Sequence, residues 1–142
     1  KALWAEGEAN FDGRFYRLER AVQTPKPAQK PHPPILIGGE TDAALRRVAR
    51  NDGWIAFDRP LDELAAMLGK IDRLLAVGGR KRDDLHIVMC PFSQTCDLDV
   101  LKRYRDLGID EVILFAFTLD PKTAASEVAR IGEQFAQPAA AL

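Results

Sequence analysis

The sequence predicts an α/β protein in which parallel strands alternate with helices. From residue 35 onward, short apolar segments alternate with segments whose apolar residues recur at helical spacing. The apolar segments lack the alternating polar positions of a strand with one solvent face, which indicates a parallel sheet covered by helices. Short loops connect four such units, half the number in a (β/α)8 barrel. This pattern allows either an open doubly wound sheet or part of a closed barrel.

Residues 1–34 are predicted as a separate segment, made of a helix end, a β-hairpin and a proline-rich connector. Asp12-Gly13 lies between aromatic residues, and this dipeptide favours a hairpin turn in which both central residues have positive φ. Residues 24–34 include five prolines, which remove backbone donors and exclude a helix. The chain starts without methionine inside the predicted helix end, so we expect it to be a fragment of a longer protein.

Residues 35–142 are predicted as four strand–helix units. The strands are expected at 35–37, 54–57, 85–92 and 111–117, each a short apolar run. Helices should follow over 42–50, from Pro60 to Gly78-Gly79, from Asp97 to Gly108, and from Asp120-Pro121 to about residue 135. Thr41 and Asp97 are expected to cap their helices, and residues 136–142 to form a frayed tail.

The bulk composition excludes several classes of function. A formal net charge of -1 gives no general attraction to nucleic acid or anionic membranes. No apolar run approaches the length of a membrane helix and no signal peptide is evident, so a cytoplasmic location is expected. Cys90 and Cys96 have no nearby histidine, which argues against a metal site and predicts buried, reduced thiols.

The segment Gly38-Gly39-Glu40-Thr41 is the main candidate site. It follows a predicted strand and precedes a predicted helix, at the strand end where such folds place their active sites. Glycine lets the backbone approach an anion, the helix start offers unpaired N–H groups, and Thr41 adds a hydroxyl. These features suit a phosphate group, although the carboxylate of Glu40 opposes it. The alternative is a tight turn without a ligand.

Several pieces of the sequence occur in an order and spacing that closely resembles the luciferase-like monooxygenase family. That family includes flavin-dependent monooxygenases and deazaflavin (F420)-dependent oxidoreductases. The matching pieces are 11–16, Pro25-Lys26-Pro27, Gln29, 31–39, 44–47, Ala49-Arg50 and Asp52-Gly53-Trp54. The resemblance implies that the four strand–helix units form the carboxyl-terminal half of a (β/α)8 barrel.

The resemblance also implies a cofactor, either FMN or F420, with its phosphate held by Gly38, Gly39, Glu40 and Thr41. Gly53 and Trp54 follow as second candidates for cofactor contact, and Trp54 could equally be a core aromatic residue. Residues that define the ring face and substrate pocket come mostly from the family's first four strands. The catalytic residues therefore stay unknown. The whole protein is expected to be an oxidoreductase that acts on a small molecule, and this chain alone is expected to be inactive.

Two other interpretations remain open. A non-catalytic half-barrel would expose sheet edges and an apolar interior, and would self-associate into a homo-oligomer that binds a phosphate-bearing ligand. The other of these two interpretations is a flavodoxin-like binding domain, but it leaves the proline-rich segment unexplained.

Other residues have weaker claims to a site. His32 is interpreted as a loop histidine, and His86 as a partner of a carboxylate such as Asp83 or Asp84 at the amino end of its strand. Asp58 and Arg59 are expected to cap the next helix, with an anionic substrate as the alternative for Arg59. Some residues that follow later strands could line a pocket: Phe92, Ser93, Gln94, Phe117 and Thr118.

Overall fold

The computed structural model describes residues 1–5, 7–92, 96–116 and 120–141. The chain divides into two compact units, Lys1–Pro34 and Ile35–Leu142. The first unit opens with a 3₁₀ turn, Ala2–Trp4, and continues into strands β1 (Ala9–Asp12) and β2 (Arg17–Ala21). After β2 the connector has no helix or strand as far as Pro34, in agreement with its proline content.

Strands β1 and β2 form the antiparallel hairpin that the sequence predicts, but the predicted turn is wrong. Asp12 still pairs with Arg17 in the ladder, and a four-residue loop closes through the Gly13 N–H, which donates to the Tyr16 carbonyl at 2.9 Å. Neither Asp12 nor Gly13 has positive φ. A Cβ on Gly13 would lie 2.4 Å from the half-exposed Phe11 ring, so a larger residue there would require that ring to move.

The second unit has a parallel sheet of four strands in sequence order. These are β3 (Leu36–Gly38), β4 (Gly53–Phe57), β5 (His86–Cys90) and β6 (Glu111–Val112). Each strand pairs in parallel with the next along the chain, as right-handed strand–helix–strand connections allow. The predicted α/β class is confirmed.

Helices follow the strands of this sheet. They are α1 (Asp42–Val48), α2 (Leu61–Val77), α3 (Leu98–Asp106) and α4 (Pro121–Ile131). The predicted caps are present, since Thr41 accepts from the Ala44 N–H and Asp97 from the Val100 N–H. Over the described residues, none of the helices combines the length and apolar character needed to cross a bilayer.

The core lies between the sheet and α1, α2 and α3. On one sheet face the strand residues Trp54, Ala56, Ile87 and Met89 are fully buried. Packed against them are the apolar stripes of the helices: Leu45, Val48, Leu64, Leu68, Ile71, Leu75, Leu101 and Tyr104. Burial of such stripes holds the two layers together.

The opposite sheet face carries the alternate strand positions. Ile55 pairs with Val88, and Phe57 with Cys90, so these side chains lie on the face away from α1 to α3. Phe57 and Ile113 on this side remain 41% and 37% exposed. The unit therefore has one packed sheet face and one that still presents large apolar side chains.

The last predicted unit differs from the structure. Strand β6 was expected over 111–117 but spans only Glu111–Val112, because its ladder with β5, its one partner among the described residues, ends at the Met89–Val112 pair. Helix α4 presents the apolar side chain of Val128 at 60% exposure. The expected frayed tail is partly wrong, since a π-helical segment, Gly132–Ala136, leads into a helical turn, Gln137–Ala139.

Candidate functional site

The Gly38-Gly39 turn lies at the carboxyl edge of the sheet. Strand β3 ends at Gly38, and the parallel neighbours β4 and β5 end at Phe57 and Cys90 on the same edge. Gly38 is exposed, and a Cβ built on it would meet nothing within 4 Å. The turn is thus accessible from solvent, at the edge where α/β folds bind ligands.

Trp54 fixes the orientation of this turn. Gly39 has φ +100°, a conformation that glycine adopts without strain, and its carbonyl accepts a 3.0 Å hydrogen bond from the buried Trp54 Nε1. The C=O and N–H of a trans peptide point in opposite directions. Because the Gly39 carbonyl points to the Trp54 ring, the N–H of Glu40 in the same peptide points away from it.

The start of α1 adds further donors beside the turn. The Thr41 hydroxyl accepts from the Ala44 N–H at 3.2 Å and keeps its own proton available to donate. The N–H groups of Asp42 and Ala43 belong to the first helical turn, which has no intrahelical acceptors. Thr41, Asp42 and Ala43 are all exposed. Backbone donors that have no intrahelical acceptor therefore lie at the exposed start of α1, immediately after Gly39.

Glu40 forms an ion pair with Arg59 and is not free in solvent. Arg59 Nη2 contacts Glu40 Oε2, and Nη1 lies 3.6 Å from Glu63 Oε2 in the first turn of α2. The hydrogen bond that Arg59 donates to Glu40, with the charges of Glu40, Glu63 and Asp58, raises the pKa of Arg59 above its ordinary value. The predicted capping role of Asp58 and Arg59 is wrong, because Pro60 is the N-cap of α2 and no side chain caps that helix.

Gly53 and Trp54 occupy the amino end of β4, opposite the turn. A Cβ on Gly53 would lie 2.1 Å from the His86 carbonyl oxygen, so close strand approach by itself requires glycine there. Trp54 is fully buried, and only its Nε1 reaches the turn. Both residues thus have roles inside the protein, and direct cofactor contact by either stays a prediction.

Three phenylalanines form a stacked row along the carboxyl edge. Phe57 and Phe92 have ring centroids 5.6 Å apart, and Phe92 and Phe115 4.3 Å apart, with interplanar angles near 22°. Phe57 and Phe92 are 41% and 47% exposed. Of the pocket residues expected from the sequence, Phe92 lies here, while Ser93, Gln94, Phe117 and Thr118 lie outside the described residues. The row itself was missed, although each of its members follows or ends a strand.

The histidines and cysteines do not form a second site in the described part of the chain. His86 Nε2 lies 3.0 Å from Glu111 Oε2, and neither Asp83 nor Asp84 is its partner. His32 contacts the Trp4 ring in the first unit. Both cysteines are free, and burial raises the pKa of each thiol, although Cys96 is only half-buried. Among the described residues, no cluster of three or more His, Cys, Asp or Glu could hold a metal ion.

The fold of this chain is similar to that of a solved enzyme structure. An F420-dependent secondary alcohol dehydrogenase, solved with an F420–acetone adduct, superposes on 96% of the chain with a TM-score of 0.68. The chain covers 57% of that enzyme at 13% identity, so the similarity concerns the fold.

Sequence comparison identifies the family. The family model for luciferase-like monooxygenase matches residues 1–97, and the chain belongs to this family. An uncharacterised protein of Mycobacterium tuberculosis is 35% identical over 117 residues, which are 80% of this chain and 39% of that protein. The FMNH2-dependent dimethylsulfone monooxygenase of Pseudomonas putida is 39% identical over 54 residues, 38% of this chain and 15% of that enzyme. The chain thus spans well under half the length of these relatives.

Proposed function

We propose that this chain supplies part of the cofactor-phosphate site of a luciferase-like oxidoreductase that uses FMN or F420. The donors are the backbone N–H groups from Glu40 to Ala43 and the Thr41 hydroxyl. Gly38 gives the phosphate room, and Gly39 provides the backbone conformation that turns the Glu40 N–H outward. The similar proteins named for FMNH2 and F420 support this class of cofactor.

The hydrogen bond from Trp54 to the Gly39 carbonyl is the observation that carries the proposal. An anion site requires donors that point outward before the ligand arrives, and a buried indole holds the carbonyl of this peptide inward. The open space above Gly38 fits the same interpretation. We therefore place the direct phosphate contacts on the turn, and give Trp54 the task of orienting it.

The chain's own contribution is binding and orientation. A bound flavin or deazaflavin ring would supply the two-electron chemistry. The turn would fix the phosphate end of the cofactor, and the exposed rings of Phe57 and Phe92 at the same edge offer an apolar surface nearby. The substrate and the residues that act on it belong to the whole enzyme.

A paired titration tests the proposal. The 142-residue chain is titrated with FMN and with riboflavin, which has the same ring and no phosphate, while flavin fluorescence is followed. F420 and its phosphate-free chromophore form a second pair. We expect at least one phosphate-bearing cofactor to bind more tightly than its phosphate-free partner, by about tenfold or more, because charge-assisted hydrogen bonds are made only with the phosphate.

Equal affinity within both pairs would contradict the phosphate site. Gly79→Ala is a suitable control for damage elsewhere, because Gly79 follows α2 at its distal end and has positive φ like Gly39. Gly39→Ala should abolish the phosphate preference, whereas Gly79→Ala should preserve it.

A second candidate function is self-association of the half-barrel. The exposed apolar side chains of Phe57, Phe92 and Ile113 favour it, as does pairing of β3 and β6 on one side only in the described sheet. In this case a second copy would cover the open sheet face. Phosphate binding at the turn is compatible with such an assembly.

A further inference from the structure

The Glu40–Arg59 ion pair joins two loops at the carboxyl edge of the sheet. Glu40 directly follows the turn glycines, and Arg59 lies two residues beyond the end of β4. The side chain of Glu40 is 19% exposed and that of Arg59 is 44% exposed. The guanidinium is therefore open to solvent on one side while Glu40 occupies another.

The surroundings of Arg59 are acidic as long as this pair is closed. Glu63 lies 3.6 Å from the second guanidinium nitrogen, and Asp58 precedes Arg59 in the chain. One cation thus faces three carboxylates. The net charge around Arg59 is therefore negative, and an incoming phosphate would gain a direct cationic contact only if Glu40 released the guanidinium to it.

Exchange of one anion for another is physically easy at this position. The pair is open to solvent on the Arg59 side, where water and salt screen it and lower the free energy needed to separate the two groups. A phosphate offers the guanidinium a planar pair of acceptors and more charge than a carboxylate. The adjoining groove, lined by Glu40, Thr41, Arg59, Glu63 and Lys70 among others, has a volume of about 610 Å³, enough for a phosphate and its neighbours.

Lys70 repeats the arrangement within the same groove. Its Nζ lies 3.5 Å from Asp42 Oδ1 at the start of α1, so a second cation is also held by an acidic residue next to the turn. This pair is more open than the first, with side chains 53% and 73% exposed. Arg59 pairs with Glu40, the residue directly after the turn glycines, whereas Lys70 pairs with Asp42 inside α1, and this favours Arg59 for direct contact with a phosphate.

We propose that Arg59 is the exchangeable cationic ligand of the phosphate site, and that the Glu40 carboxylate is its internal competitor. This inference rests on the proposed function and deepens it. In the free chain Glu40 holds the guanidinium beside the turn, and in the complex the phosphate takes over that contact. Glu40 thereby keeps Arg59 in position while lowering affinity for weaker anions.

Single-charge variants of the 142-residue chain test the exchange. FMN and riboflavin are titrated into the wild type, Arg59→Gln, Glu40→Gln and the matched control Glu63→Gln. We expect Arg59→Gln to weaken FMN binding by about tenfold and Glu40→Gln to strengthen it by about threefold or more. Glu63→Gln removes the same charge from the far side of Arg59, so its gain should be clearly smaller. Riboflavin affinity should change little in every variant.

The outcomes separate this inference from the proposed function. If wild type prefers FMN and Arg59→Gln keeps the full preference, the inference is overturned while the turn site stands. If Glu40→Gln and Glu63→Gln increased FMN affinity equally, the increase would reflect overall charge alone, and the inference would also be overturned. If neither wild type nor Glu40→Gln prefers FMN, or F420 in a parallel titration, over the phosphate-free form, both proposals fail. Thermal melts of each variant verify that the fold is intact.

Discussion

At Gly53 the neighbouring strands leave no room for a side chain. A Cβ there would lie 2.1 Å from the His86 carbonyl oxygen and 3.1 Å from Leu36 Cγ, on the strands at either side of β4. We expect Gly53→Ala to lower the free energy of unfolding by about 2 kcal/mol or more, since backbone cannot move aside cheaply. Chemical denaturation provides the measurement.

Gly69→Ala is the matched control, and it should change the free energy of unfolding in the opposite direction. Gly69 lies inside α2, and the nearest atom to an added Cβ is the mobile end of Arg73 at 3.8 Å. This substitution should raise the free energy of unfolding by about 0.5–1 kcal/mol, because alanine is the better helix former. A Gly53→Ala chain as stable as the wild type would contradict the packing of β4.

At the residue scale, the sequence predicted the exposed parts of the candidate site better than its supports. The Gly38-Gly39 turn and the Thr41 cap depend on local pattern, and both are present. The hydrogen bond from Trp54 to Gly39 and the pairing of Glu40 with Arg59 each join residues far apart in the chain. Such contacts depend on strand register, which composition and spacing do not encode.

The caps are best tested at the scale of whole elements. Thr41→Ala removes the acceptor for the Ala44 N–H at the start of α1, and we expect a loss of about 1 kcal/mol in the free energy of unfolding. Thr41→Ser retains the oxygen and should recover most of that loss. If Thr41→Ala and Thr41→Ser unfolded at the same denaturant concentration, the cap would contribute nothing.

Element boundaries were predictable where an element has a well-packed face and a clear end signal. Helix α2 ends at the predicted glycines, and Leu64, Leu68, Ile71 and Leu75 on one of its faces are buried. The last unit was less predictable, because β6 has a partner on one side only and Val128 of α4 stays exposed. The apolar residues of this unit have too few packing partners among the described residues to define where its strand and helix begin and end.

The open sheet face determines the behaviour expected of the whole molecule. Phe57 and Ile113 present apolar surface on this face, and such surface favours association in water. We expect sedimentation velocity to detect an oligomer whose fraction grows with protein concentration. Ile113→Lys should shift it towards the monomer, whereas Val77→Lys, at a position 89% exposed at the end of α2, should not. A wild-type chain that stays monomeric at all concentrations would contradict self-association.

The central claim is that outward-facing backbone amides after Gly39 bind a phosphate. Backbone amide NMR during titration with FMN, F420 and their phosphate-free counterparts tests it most directly. We expect a phosphate-bearing cofactor to shift the amide signals of residues 39–43, and its phosphate-free partner to leave them nearly unchanged. Unmoved signals at 39–43, or shifts centred on the amino edge near Gly53 and His86, would contradict it.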